Sequence, residues 1–193
     1  MYIPPAFCQP DAEAQRALIA AHPLAQLVSY GESGLQADPL QLDSYPDGAW
    51  RLHGHLARAN PHSQSLARNG ACLAMFQGES GYISPGWYAA KAEHGKVVPT
   101  WNYQTLHCHG QARIITDPIW LMALLQAPWQ VEDAPPGFID TLIGAIVGVE
   151  ICVTRTEAKW KLSQNRSLAD RDGAIEGLTD VGNVPLAREM GRG

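Results

Sequence analysis

Two short blocks of this chain carry residue types suited to an anion and to a flat aromatic ligand. The block His53 to Pro61, HGHLARANP, holds Arg58 followed by Asn60-Pro61. Asn is a favoured helix N-cap and Pro a favoured first helical residue, so the block reads as a strand turning into a helix. A helix N-terminus offers N–H groups and the positive end of a dipole, and Arg58 adds a forked donor that matches phosphate oxygens. The alternative is a solvated loop arginine beside an asparagine that only caps. The second block, Val98 to Tyr103, places Trp101, Asn102 and Tyr103 in a row. An aromatic beside an amide suits a ring wall with a hydrogen-bonding edge. Otherwise Trp101 and Tyr103 pack into a core and Asn102 ends a turn.

Near the end of the chain, Lys159-Trp160-Lys161-Leu162 alternates polar and apolar residues and runs into Ser163, Gln164 and Asn165. Alternation alone predicts a half-exposed strand with a polar end, where one of these residues could cap a following helix. His53 and His55 share one strand face, and His107 and His109 form a second such pair. Two i, i+2 histidine pairs raise a metal site, but no carboxylate or thiolate completes a recognised ligand pattern. They read as half-buried strand histidines, and no metal is expected. Gln77, Glu79 and Ser80 lie in a Gly-rich turn that suits a loop rim or a structural bend. No Walker A, GxGxxG, HExxH, GxSxG or helix-turn-helix pattern stands out.

These residues need elements to hold them. A helix over about 11–22 stops before Pro23. Strands over 24–30 and 35–43 are joined by GESG, a hairpin signal. SYPDG is a turn, with Pro46 presetting φ and Gly48 tolerating positive φ. A strand over 49–56 leads to a helix ending at Asn69. Further strands cover 71–77 and 81–84, and a long strand covers 100–116, with Gly110 the place for a bend. Asp117-Pro118 opens a helix to about 127, another helix covers about 137–143, and a strand runs from about 147 to 163 with Val147, Val149, Ile151 and Val153 on one face. A polar helical tail follows. The pattern predicts a mainly β chain with α additions, an antiparallel barrel with peripheral helices.

Composition narrows the function classes. The 193 residues fit one ordinary domain or a domain with a small appendage, and 46% are hydrophobic. Net charge is −5 with only 14 Lys and Arg, so a surface that binds nucleic acid throughout is disfavoured. The four cysteines form no CxxC pair, and Cys72 and Cys152 sit in apolar runs that read as buried. The opening MYIPPAF lacks the basic region and apolar core of a signal peptide, and no apolar run is long enough to span a bilayer. A cytoplasmic protein with reduced thiols is expected.

Four segments in order, MYIPPAF, HGHLARANP, FQGESGYISPGWY with VPTWNY, and KWKLSQNR, together resemble the PaiB family over about residues 1–175. The resemblance implies an FMN-binding split β-barrel, an antiparallel Greek-key barrel of the pyridoxamine-phosphate-oxidase type, with FMN bound in a homodimer. It implies a domain over 1–175, leaving 176–193 as a helical or poorly ordered tail. It also implies negative regulation of transcription, with DNA contacted directly or through a partner and no membrane association. Two alternatives are a flavin-dependent oxidoreductase acting on a small molecule and a binding module whose flavin pocket has degenerated. The site residues implied are His55 near the flavin, Ala57, Arg58 and Asn60 around the phosphate side, Trp101, Asn102 and Tyr103 at the ring, and Lys161, Gln164 and Asn165 from the late strand. Lys161 would face the phosphate or the flavin N1–O2 edge. One departure is plain: Ala37-Asp38-Pro39-Leu40 stands where the family usually has a His before its proline, as in THLP.

Overall fold

In the computed structural model the described residues are 1–32, 34–44, 50–125 and 137–192. All of the SYPDG turn after Ser44, including Pro46 and Gly48, lies outside them. Among the described residues, helix α1 (Ala12–Ala21) precedes a hairpin of β1 (Leu24–Gly31) and β2 (Gly34–Gln41), then β3 (Asp43–Ser44) and β4 (Arg51–Ala57). Helix α2 (Pro61–Arg68), β5 (Ala71–Ile83), α3 (Ala90–His94) and β6 (Thr100–Ile115) follow. The chain continues through α4 (Pro118–Leu125), α5 (Phe138–Ala145), β7 (Ile146–Lys161), α6 (Leu168–Asp180) and α7 (Val184–Gly191). Short 3-10 turns occupy Pro5–Phe7 and Pro85–Trp87.

The strands order as β2-β1-β5-β6-β7-β4-β3, and the registered pairs are antiparallel. Strands distant in sequence are neighbours, β1 beside β5 and β7 beside β4, so long connections rather than hairpins alone build the sheet. This is the expected mainly β chain with peripheral helices. Backbone contacts divide it into two compact units. The first holds Met1–Gln15, Gln77–Leu106 and Glu157–Gly193, and the second Arg16–Phe76 and His107–Thr156.

In the second unit the hairpin closes at Gly31 paired with Gly34, whose φ of +96 is open to glycine and costly for other residues. Leu27, Leu52, Leu66, Val149 and Ile151 are buried, each supplying about 1.5–3 kcal/mol of hydrophobic stabilisation. Strand β4 pairs with β7 over its whole length, from Arg51 opposite Cys152 to Ala57 opposite Ile146. Gly148 leaves room for the Trp120 indole, which a Cβ there would meet at 2.3 Å. The other face of β7 is thereby covered as well, so Glu150 is buried along with Val149 and Ile151. Cys152 corrects its expectation: it is exposed, because the strand leaves this doubly covered stretch after Ile151.

In the first unit α6 and α7 pack on the ends of the long strands. Helix α6 runs across residue 175, and Leu178, Leu186 and Met190 are buried. Strand β5 also differs from expectation, since one strand replaces the two short ones. Gly81 marks a close approach rather than a break: a Cβ there would lie 2.6 Å from Asn183 Nδ2 and 2.8 Å from Leu186 Cδ2. Strand β6 likewise runs unbroken through Gly110. No helix among the described residues is long and apolar enough to cross a membrane.

Candidate functional site

The second unit builds the anion-type block as its residues suggest. Strand β4 ends at Ala57, and Arg58 and Ala59 turn the chain into α2. Asn60 Oδ1 accepts from the His62 amide at 2.9 Å, and Pro61 occupies the first turn without an amide to satisfy. The Arg58 guanidinium is exposed but not loose: Nε donates to the Gly144 carbonyl at 2.7 Å and one Nη to the Ile146 carbonyl at 2.9 Å. Its backbone N–H donates to Ala145 O at 2.8 Å. These carbonyls where α5 meets β7 fix the plane of the fork, and among the described residues Nη1 has no partner. A braced cation with unspent donors at a helix start is suited to a phosphate. Ala57 and His55 are exposed one and three residues before Arg58, and partial desolvation pushes the His55 imidazole below its ordinary value.

Behind this turn lies a network that sequence reading did not assemble. His53 Nε2 lies 3.0 Å from Glu150 Oε2, and Arg113 Nε donates to Glu150 Oε1 at 2.5 Å. Burial by itself would raise the Glu150 carboxyl, but the Arg113 hydrogen bond and charge, with His53 beside it, outweigh burial and hold it below its usual value. The folded state therefore binds this proton less readily than the unfolded chain. The stability it contributes is complete above the ordinary carboxylate range and drains away as pH falls toward the lowered value. Urea midpoints of the wild-type chain should fall from about pH 6 to about pH 4, and Glu150→Gln should be less stable near neutrality with a shallower acid slope. Parallel slopes would show that Glu150 is not the group responsible.

The first unit handles the second block differently from a single ring wall. Alternation along β6 sends Trp101 and Tyr103 to one face and Asn102 and Gln104 to the other. Trp101 is 52% exposed, whereas Asn102 is fully buried and turned toward α7. Asn102 Nδ2 donates to Ser163 Oγ at 2.9 Å and lies 3.3 Å from Met190 Sδ, and Gln104 Nε2 donates to Glu189 at 3.1 Å. Asn102 Oδ1 is enclosed and accepts no hydrogen bond among the described residues. Ser163 takes a left-handed φ of 65 at the end of β7, a conformation that its bond to Asn102 helps to hold.

The late-strand residues divide too. Lys161 Nζ donates to Thr100 Oγ1 and, at 2.7 Å, to the Trp101 carbonyl. Burial first, then Lys159 and Arg166, push its ammonium below its ordinary value. Gln164 folds back on its own strand, accepting from the Leu162 amide and donating to the Trp160 carbonyl. Asn165 is exposed, and Ser167, not Ser163 or Asn165, caps α6.

Three further residues join the exposed aromatics. The Lys159 ammonium lies 5.4 Å from the Tyr103 ring centroid and 5.9 Å from that of Tyr2, and the Tyr82 ring meets Trp101 edge-on at 6.4 Å. The period-two pattern of KWK already placed Lys159 on the face of Lys161. Tyr2 and Tyr82 come from elsewhere in the chain, Tyr82 from just beyond the Gln77–Ser80 stretch that reads as a loop rim or a bend. The predicted residues thus gather as two sets, His55, Ala57, Arg58 and Asn60 in the second unit, and Trp101, Asn102, Tyr103, Lys161, Gln164 and Asn165 in the first.

A family model described as "Putative FMN-binding domain" matches residues 1–155. A relative from Bacillus subtilis, protease synthase and sporulation protein PAI 2, is 31% identical over 201 residues, covering 98% of this chain and 94% of its own. The chain belongs to the PaiB-type FMN-binding family. Among solved structures this family member is similar to the flavocytochrome Anf3 of Azotobacter vinelandii, with a TM-score of 0.63 at 17% identity, covering 80% of this chain and 69% of that one. It is also similar to a Clostridium acetobutylicum protein of the pyridoxinephosphate oxidase family, with a TM-score of 0.51 at 11% identity, covering 77% and 87%. At these identities the likeness shows the fold alone, a split β-barrel. FMN is the cofactor this membership carries. In the PaiB-family chain each unit, taken by itself, has donors that fit a part of it: the second a braced, exposed guanidinium suited to a phosphate, and the first the Trp101 and Tyr103 rings with the Lys159 ammonium over Tyr103, suited to a flat ring.

Proposed function

We propose that this chain is an FMN-binding regulator of transcription, acting as a cytoplasmic homodimer. The observation that carries the FMN part is Arg58, held by two carbonyls with its remaining donors exposed at the start of α2. In this reading the Arg58–Asn60 turn takes the phosphate, with His55 and Ala57 lining its approach. In the first unit, taken by itself, Trp101 and Tyr103 with Lys159 form a wall suited to a flat ring, with Lys161, Gln164 and Asn165 along and just beyond the end of the same late strand. Asn102 holds Ser163 and α7 behind that wall, with Oδ1 left as an acceptor. The regulatory part is supported by the PAI 2 relative, which matches almost the whole chain. Four free cysteines suit a reducing compartment. With 14 Lys and Arg against 19 Asp and Glu, DNA contact would run through a local patch or a partner protein.

FMN fluorescence should be quenched saturably at micromolar protein, with sedimentation showing a dimer. Unquenched fluorescence at that concentration would end the FMN reading, and a gel shift lost at physiological salt would end direct DNA recognition.

A second reading, a flavin oxidoreductase, draws on the paired Lys159 and Lys161, because cations near the ring favour its reduced anion. Anaerobic bleaching of bound FMN by NADH or NADPH, with turnover, would favour it.

A further inference from the structure

The second unit contains a buried Ser–His–Asp relay that neither motif nor spacing suggested. Cross-strand pairing sets Leu27 opposite Asp38 and Ser29 opposite Gln36, so Ser29 and Asp38 point to the same face of the β1–β2 hairpin. Helix α2 packs on β1 and inserts His62 there. His62 Nδ1 lies 2.6 Å from Asp38 Oδ2, and Nε2 lies 2.7 Å from Ser29 Oγ. His62 is 1% exposed and Ser29 4%, while the Asp38 side chain keeps 33% of its surface. In an open cleft such a triad would activate the serine as a nucleophile. Here Ser29 Oγ is sealed beneath α2, so no acyl donor reaches it.

What the relay does hold is the start of α2. An ionised Asp38 accepts from Nδ1–H, which leaves Nε2 to accept the Ser29 hydroxyl proton; a protonated imidazole would instead donate to both. Either way the ring is tied to two strands. The backbone of the same residue is tied as well, since the His62 amide is the one that Asn60 Oδ1 caps at 2.9 Å. One turn on, a Cβ at Gly31 would meet Ser65 Oγ at 2.5 Å, so the helix sits hard against the hairpin.

We propose that Asp38, His62 and Ser29 are positioning residues that fix the Arg58–Asn60 turn and thereby set the preference for phosphorylated over unphosphorylated flavin. This rests on the reading that the Arg58–Asn60 turn takes the FMN phosphate. The test compares FMN and riboflavin dissociation constants in the full chain, because riboflavin carries the ring but no phosphate. Asp38→Ala should weaken FMN about tenfold and leave riboflavin within about twofold, while Asp38→Asn, which keeps an acceptor for Nδ1–H, should restore most of the FMN affinity. Asp38 is part-exposed, so these variants should fold, and thermal melts check it. Equal effects on both ligands, or none on either, would overturn the proposal while Arg58→Ala still separated FMN from riboflavin. If Arg58→Ala also left the FMN-to-riboflavin ratio unchanged, the phosphate reading would fall and the proposal with it. Labelling of wild-type protein by a fluorophosphonate, lost in Ser29→Ala, would show a reactive serine and overturn the closed clamp.

Discussion

Arg58→Ala is expected to weaken FMN binding by roughly 10- to 100-fold while riboflavin binding changes by less than about threefold, since a charge-assisted hydrogen-bond set is worth about 1.5–3 kcal/mol. The side chain has a double duty that shapes the control. Its Nε and one Nη clamp the Gly144 and Ile146 carbonyls, so alanine also releases the segment where α5 meets β7. Arg58→Lys separates the roles: it keeps the charge but loses the planar fork, and should bind FMN with intermediate affinity. Equilibrium titration of both ligands against wild type, Ala and Lys variants reads all three effects. An alanine variant that binds FMN as tightly as wild type would place the phosphate elsewhere. So would equal weakening of both ligands, which would mark Arg58 as a structural brace.

The largest stability effect should come from Gly173→Ala, in the first unit. A Cβ on Gly173 would lie 2.1 Å from the backbone oxygen of Trp87, far inside contact distance and with no flexible side chain to yield. Helix α6 must then lift from the Pro85–Trp87 turn, disturbing the Ala90 amide bond to Asp170 Oδ1 at 2.9 Å. Overpacking of this kind costs about 3 kcal/mol or more. For a chain of this size that is roughly 6–12 °C in melting temperature. Gly191→Ala is the control, because nothing lies within 4 Å of its added Cβ. Calorimetric melts of the pair decide the matter, and an unshifted Gly173→Ala would mean that α6 and the turn do not sit as described.

Sequence and tertiary structure contributed different things, and the division follows from the range of the forces involved. Local signals were legible because they act within one or two turns of chain. Asn60-Pro61 capped and opened α2, Asp117 capped α4 through the Ile119 amide, and the Gly31–Gly34 hairpin closed where GESG stood. Alternation in β6 and β7 was equally plain, and from it alone Trp101 and Asn102 had to face opposite ways. Composition and four ordered blocks carried the family, and with it the split barrel and FMN. Only the fold could decide which distant groups meet. Glycine reads as a strand break or a bend in sequence, yet β5 and β6 run on through Gly81 and Gly110, because what these glycines answer is a helix or a neighbouring strand pressed close. Cys152 reads as apolar core, yet it is exposed, since burial depends on where neighbouring cover ends. Arg58 finds its carbonyls 86 and 88 residues away, and His53 its glutamate 97 away. Ser29, Asp38 and His62 become a relay because one hairpin register and one helix docking bring three ordinary polar residues within hydrogen-bond reach. Hydrogen bonds are short-ranged and blind to separation along the chain, so their partners are chosen by packing, which no local pattern encodes.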